Sequence, residues 1–397
     1  MLASRDFAIT RPMEGTASAS KDSRRYGHVT SLDGLRFTAA TIVLVGHCFN
    51  VFEVPHEIGR AVRTGVCGIF VNGYGAVHLF FVLSGFCLAG SADRVSKIID
   101  LSQFYVRRVL RIQPPYMYAL LVAWLASFFY DVSGGGDALS TYIIKRGNVH
   151  LSAADLLPYF LYPSPAEHQL GPAWTLTIEM NFSFLLPAML WITRRSHWSV
   201  LVVASGLALI EREWLWDFFD YGLFFVLGIV VFIERDRLAG WTERLPAVAR
   251  FAILALGLFV WISPWTLNLV FERGFHYAPA GLVVSGCGSA ILLCAAVFFA
   301  EVSRPLASRW VAYGGRISYS FYLLHYPVMI LCARAIRPPA TWSEGVVFVV
   351  VVFALTFSAA AISFRFIERP SIRLGNAICR IIARRRSAEP QFSRLAA

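Results

Sequence analysis

Charge is scarce in this sequence. Asp, Glu, Lys and Arg make up 15% of the 397 residues, where a soluble domain carries about a quarter. So little charge cannot cover the surface of a soluble enzyme of this size. It argues equally against a disordered, collagen-like or coiled-coil chain. Cysteine is also sparse. Cys48, Cys67, Cys87, Cys287, Cys294 and Cys332 lie in or beside apolar runs, Cys379 lies in a basic tail, and none has zinc-type spacing. That pattern excludes a disulfide scaffold and leaves six of the seven as small hydrophobes. The sequence shows no internal repeat, no Gly-rich phosphate loop and no appended soluble domain. Residues 1–30 are polar and mixed, without the apolar stretch of a signal peptide.

What is abundant is apolar. Hydrophobic residues make up 57% of the chain and the mean hydropathy is +0.58. A bilayer core needs about 20 mostly apolar residues per helix. Ten stretches meet or approach that: 37–54, 73–91, 115–131, 174–193, 198–211, 217–233, 246–265, 277–299, 316–335 and 345–364. The sequence therefore predicts an all-α, polytopic membrane helix bundle of about ten transmembrane helices. The fifth stretch is short and the third is flanked by ambiguous loop, so nine or eleven also fit. A transmembrane domain over 31–375 would carry a disordered tail at 1–30 and a basic one at 376–397, unstructured from 384 onward. The longest outer connection, 132–173, opens on Gly134, Gly135 and Gly136. It has room for a re-entrant or amphipathic segment near 155–162.

The net charge is +11. A basic balance points to nucleic acid when it covers one soluble face, but here the cations sit between apolar runs. With an even number of spans both termini share a side. That side then holds 28 Lys and Arg, and the other holds 8. The positive-inside rule places the termini in the cytoplasm.

Polar side chains inside spans are costly and are functional candidates by default. At about 1.5 Å per helical residue, His47 lies about 16 Å in from Arg36, near the midplane. Glu179 lies about 8 Å below the outer surface, His325 about 14 Å from the inner edge, and Ser84 about 15 Å from the outer one. Four helices thus bring polar groups to the central layer, as a buried reactive site or a solute path would. Each also has a plainer reading. A lone His packs well when hydrogen-bonded, Ser84 before Gly85 can be a helix-packing notch, and His325 before Pro327 can satisfy a freed carbonyl. His78 is nearer the outer face. A buried carboxylate such as Glu179 must be paired, neutral or hydrated. No spacing supports a metal site of His47, His78 and His325.

A second constellation lies at the inner edge. Arg107, Arg108 and Arg111 precede Pro114 and Pro115. Arg108 and Arg111 are three apart and share a helix face. Two guanidinium forks on one face suit a phosphate or pyrophosphate. The same cluster would serve as a topogenic or lipid-headgroup site. Asp33 and Arg36 could pair with each other or with this cluster.

These motifs resemble the membrane acyltransferase-3 family, the O-acyltransferases of bacterial surface polysaccharides and related sugars. Ser31–His47 (SLDGLRFTAATIVLVGH) resembles its first-span signature and Leu79–Phe86 (LFFVLSGF) its second. Arg107–Pro114 (RRVLRIQP) is similar to the Arg-rich element before the third span, and Trp174–Glu179 (WTLTIE) to the segment written WSLSVE. Ile317–Val328 (ISYSFYLLHYPV) and Phe366–Pro370 (FIERP) resemble the late-span and closing motifs. Six motifs in order cover Ser31 to Pro370. The chain departs at His78, where the family often has an acid, and at Met180, where it often has a second Glu. Some members carry a fused C-terminal hydrolase-like domain; this chain ends soon after its last span and would complete transfer in its membrane domain or hand over to a separate protein.

The resemblance implies a multi-pass protein of the bacterial inner membrane. It implies an acyl-coenzyme A donor, acetyl-CoA above all, as co-substrate with no permanently bound cofactor. The acceptor would be a sugar hydroxyl of an exopolysaccharide, O-antigen or related glycan. Arg36, Arg107, Arg108 and Arg111 would bind the donor, and His47 and Glu179 would be catalytic. Asp33, Ser84 and His325 would support them. Membrane lipids and the glycan are the partners, and nucleic acid is not one. The alternative from another class is a transporter or flippase for a lipid-linked sugar; the inverted repeats and paired broken helices of many transporters are not visible in the sequence.

Overall fold

An apolar run in a bilayer can satisfy its backbone only within itself, and helix is the form that does so. A computed structural model of the chain describes residues 30–52, 56–64, 67–93, 95, 98–129, 140, 152, 154–162, 170–209, 216–271, 278–336 and 339–393. The main helices are α1 (Thr30–Asn50), α2 (Gly73–Ala92), α3 (Ile98–Ser127), α4 (Leu157–Leu161), α5 (Trp174–Arg195), α6 (His197–Ala208) and α7 (Trp216–Ile233). They continue as α8 (Ala247–Phe271), α9 (Pro279–Phe298), α10 (Ala300–Leu306), α11 (Arg309–Ala335), α12 (Trp342–Ser363) and α13 (Arg369–Ser393). Short helices at His56–Thr64, Gly68–Val71 and Arg235–Glu243 connect them.

The fold is an all-α polytopic bundle, as the composition predicts. Every one of the ten apolar stretches falls on a helix. Among the described residues, six helices are long and apolar enough to cross a membrane, and the apolar part of α7 and all of α6 are shorter. The other two, α3 and α11, are long but diluted by polar residues such as Arg108, Arg111, Ser318 and His325. Those residues face the interior, which is why hydropathy undercounts the helices that carry them.

Packing runs inside out relative to a soluble protein. The central helix α2 buries 72% of its apolar stretch, whereas α8 buries 17%. Large apolar side chains stand exposed on the outer helices, among them Phe251 and Phe259 of α8 and Val346, Val350 and Ile362 of α12. Such a band would aggregate in water and is at home in lipid. One core packs α2 against α5, α7 and α9 through residues such as Leu83, Phe182, Phe225 and Leu293. A second joins α1, α11 and α12 through Leu44, Phe321 and Val352. A third joins α3, α11 and the start of α5 through Tyr116, Leu323 and Leu176.

Close helix contacts rest on glycine. A Cβ on Gly85 of α2 would lie 2.3 Å from the Phe225 carbonyl oxygen of α7. One on Gly228 of α7 would lie 2.0 Å from the Val82 carbonyl oxygen of α2. The pair lets the two backbones touch, as small residues do in membrane helix interfaces.

Local signals set the helix ends. Thr341 caps α12 by accepting from the Glu344 amide at 3.3 Å, and the Glu344 carboxylate accepts from the Ala340 amide at 2.6 Å, close to a capping box. Proline inside a helix frees carbonyls that neighbours can satisfy. Pro114 and Pro115 free the carbonyls of Leu110 and Arg111, and the adjacent Ile112 carbonyl accepts from the Tyr319 hydroxyl of α11 at 2.9 Å.

Three boundaries differ from the sequence reading. The third stretch begins far earlier, because α3 runs unbroken from Ile98 and carries all three arginines on helix rather than in a flanking loop. The expected segment near 155–162 is the short helix α4, tied down where the Phe160 carbonyl accepts from Gln113 at 2.5 Å. The C-terminal tail is helical to Ser393, because α13 propagates from a turn already fixed against α3 and pays no nucleation cost of its own. The expected tail at 1–29 and the glycine run at 134–136 lie outside the described residues.

Candidate active site

α1, α2, α3, α5 and α11 enclose a cavity of about 150 Å³. Its walls carry Arg36, Ser84, Arg108, Arg111 and Glu179, five of the nine residues that the sequence singled out. The guanidiniums are held differently. Arg36 donates to Asp33 at 2.9 Å, one turn away on α1. Arg108 uses one edge of its fork for two partners on α5: Nε donates to Ser183 Oγ at 2.9 Å and Nη2 to Glu179 Oε1. Ser183 in turn donates to the Glu179 carbonyl at 2.6 Å. Arg111 makes no hydrogen bond or ion pair among the described residues, yet it lines the cavity and feels the charges of Arg36, Arg108, Glu179 and Glu368. Its donors are therefore available to a ligand. Arg107 stands apart: it does not line the cavity and donates to Gln103 at 3.1 Å.

Glu368 is a residue that sequence reasoning quoted in a motif and assigned no role. It is 1% exposed and accepts from Ser320 Oγ at 2.7 Å. It lies in a π-helical turn, Phe364–Glu368, between α12 and α13. Such turns rotate a side chain out of helical register and recur at functional sites. Three carboxylates (Asp33, Glu179 and Glu368) thus accompany three arginines (Arg36, Arg108 and Arg111).

The same helix, α11, links this cavity to the histidines. Tyr319 and Tyr322 line the cavity, and the Tyr322 hydroxyl is 3.0 Å from Thr175 Oγ1. One turn further, His325 is fully buried and its Nδ1 lies 2.5 Å from the Tyr322 carbonyl oxygen. That carbonyl is not the one Pro327 frees, which belongs to Leu323 four residues back. The imidazoles of His47 and His325 face each other with centroids 5.3 Å apart. His47 also meets the Tyr326 ring edge-on at 5.8 Å. Glu179 is engaged with Arg108, and the group beside His47 is His325. Two spans more than 270 positions apart meet here, a pairing that no sequence spacing displays.

Ser84 opens onto the cavity, but the amide of Gly85 belongs to the middle of α2, where helical hydrogen bonding occupies it. Gly85 is a packing contact. His78 is boxed in the bundle. Its ring stacks on Phe224 at 4.3 Å, and Nδ1 lies 2.7 Å from Ser285 Oγ.

The model of the acyltransferase domain family matches residues 29–365. The chain belongs to that family. The match takes in α1 to α12 and every predicted site residue, while Glu368 lies three positions beyond it. Among relatives, the chain is 25% identical to "Peptidoglycan O-acetyltransferase OatA" of Listeria monocytogenes, over 88% of this chain and 56% of that protein. It is 24% identical to "Putative peptidoglycan O-acetyltransferase YrhL" of Bacillus subtilis, over 88% and 55%. "Nodulation protein 10" of Rhizobium leguminosarum is 27% identical, over 91% of this chain and 97% of its own length. The chain thus spans little more than half the length of the first two. No solved structure matches it.

Proposed function

We propose that the protein is an O-acyltransferase of the bacterial inner membrane. It moves an acyl group, acetyl above all, from acyl-CoA to a sugar hydroxyl of an exopolysaccharide, O-antigen or related glycan. The observation that carries this reading is the arginine-lined cavity, whose wall residue Tyr322 lies one turn of α11 before the facing pair of His325 and His47. Arg111 takes the donor's phosphates directly, because its fork is unengaged. Arg36 and Arg108 add positive charge and are held in place by Asp33 and Glu179. Arginine forks match phosphate oxygens in geometry and charge. The bias of 28 Lys and Arg to 8 supports cytoplasmic termini, and in that orientation the arginine end of the cavity meets the cytoplasmic CoA pool.

His47, partly exposed, accepts the proton of the acceptor hydroxyl as the oxygen attacks the thioester carbonyl. The resulting tetrahedral oxyanion needs a donor, and the hydroxyls of Ser84 and Tyr322 are the cavity's candidates. Direct transfer is the simpler route; an acyl-enzyme on Ser84 or His47 would split it into two steps.

Inverted membrane vesicles supplied with acetyl-CoA labelled in its acetyl group test the reading. The label is expected in the glycan fraction. Vesicles that move a lipid-linked sugar without any acyl donor, and leave the label on CoA, would instead establish the transporter alternative.

A further inference from the structure

The histidine pair has a direction. A carbonyl oxygen can only accept, so His325 Nδ1 carries the ring proton and donates it to Tyr322 at 2.5 Å. In the neutral ring Nε2 is then a bare lone pair. That atom is buried and has no hydrogen-bond partner among the described residues. A buried acceptor without a donor calls for an explanation. The ring of His47 lies across from it at 5.3 Å, with the planes inclined by 33°. His47 is partly exposed, whereas His325 is 0% exposed, and neither ring lines the cavity. Of the two rings, only His47 has exposed surface to offer a substrate, so a role for His325 has to run through His47.

We propose that His325 is the positioning residue of His47: in the reacting complex its Nε2, which has no hydrogen-bond partner among the described residues, accepts a ring N–H of His47, and the other His47 nitrogen takes the proton of the acceptor hydroxyl. This deepens the acyl-transfer reading above and rests on it. As the acceptor oxygen bonds to the acyl carbon, its proton passes to His47. The thioester C–S bond breaks, and the proton leaves on the CoA thiol. His325 gains no proton in the cycle. It holds the tautomer before attack and stabilises the imidazolium after it, the part that a carboxylate plays in other triads. The Tyr322 carbonyl fixes the tautomer of His325 in turn, so one peptide group of α11 orients both rings.

Two near-isosteric variants separate this role from a structural one. In His325→Asn the side-chain amide can still donate to the Tyr322 carbonyl, but nothing reaches the Nε2 position. In His325→Gln the amide oxygen reaches that position and can accept from His47. Full-length protein in membranes is assayed with labelled acetyl-CoA and the host's isolated surface glycan. The amount and melting temperature of each variant are checked in detergent. His325→Asn is expected to lower kcat about 100-fold with the glycan KM within twofold of wild type. His325→Gln is expected to keep at least about ten times the kcat of the Asn variant. Wild-type kcat in His325→Asn, no advantage of Gln over Asn, or a change confined to KM would each overturn the positioning role. Absence of transfer by the wild type would instead strike the acyltransferase reading itself.

Discussion

Arg108 and Glu179 join α3 to α5 at the wall of the cavity, with Ser183 filling the rest of the same guanidinium edge. The pair is partly buried, with side chains 13% and 23% exposed. Its worth falls between that of an exposed pair and that of a fully buried one, about 1–3 kcal/mol. Glu179→Gln and Arg108→Gln should each lower the melting temperature in detergent. The double variant should lose less than the two single losses added together. Simple additivity in that cycle would mean that the two side chains do not interact.

Arg111 lines the cavity without a hydrogen bond or ion pair among the described residues, and Arg107 does not line it. Arg111→Ala should raise the acetyl-CoA KM by about 10- to 100-fold, the value of hydrogen bonds to a charged partner, with kcat little changed. Arg107→Ala should leave it within twofold. Equal effects at the two positions would turn the cluster into a general attraction for anions rather than a clamp.

Gly85 and Gly228 hold α2 against α7. Alanine at either position must push the helices apart, at a cost of about 1–3 kcal/mol. Gly206 of α6 and Gly345 of α12 have nothing within 4 Å of a new Cβ, so alanine there should be tolerated. Melting temperatures of the four variants in one detergent decide it, and a loss at Gly206 as large as that at Gly85 would contradict the packing account.

On α10, Glu301 takes Arg250 in a bidentate grip, at 3.2 Å from Nε and 2.5 Å from Nη2. The Arg250 hydrogen bonds hold the Glu301 carboxyl below the usual carboxylate range. A depressed folded pKa stabilises the protein at pH values above the ordinary one, and the gain is lost as pH falls through the folded value. Glu301→Gln should therefore melt earlier than wild type at pH 7, and the gap should close on acidification below about pH 4. A gap independent of pH would assign the loss to packing.

Much of this arrangement was legible in the sequence, and the remainder had physical reasons to be hidden. Hydropathy located the helices because lipid demands long apolar runs. It was weakest for α6, which is short, and for α3, where polar residues that line the site dilute the run. The shared face of Arg108 and Arg111 followed from helical spacing, and both line the cavity. Spacing could not show that Arg107 does not line it. Nor could it show that Glu179 is taken by Arg108 while His325 meets His47, because those pairings are made by helices distant in sequence. Glu368 was hidden for another reason: a single π turn aims it inward, and no residue pattern in FIERP announces one.

The central claim is acyl transfer to a glycan with His47 at its heart. The measurement that tests it most directly is mass spectrometry of the host's surface glycans in four backgrounds: wild type, gene deleted, deletion complemented, and deletion complemented with His47→Ala. One acyl mass should vanish on deletion, return with the wild-type gene and stay absent with His47→Ala. Glycans that remain fully acylated with His47→Ala, or that stay acylated on deletion while their export falls, would contradict the account.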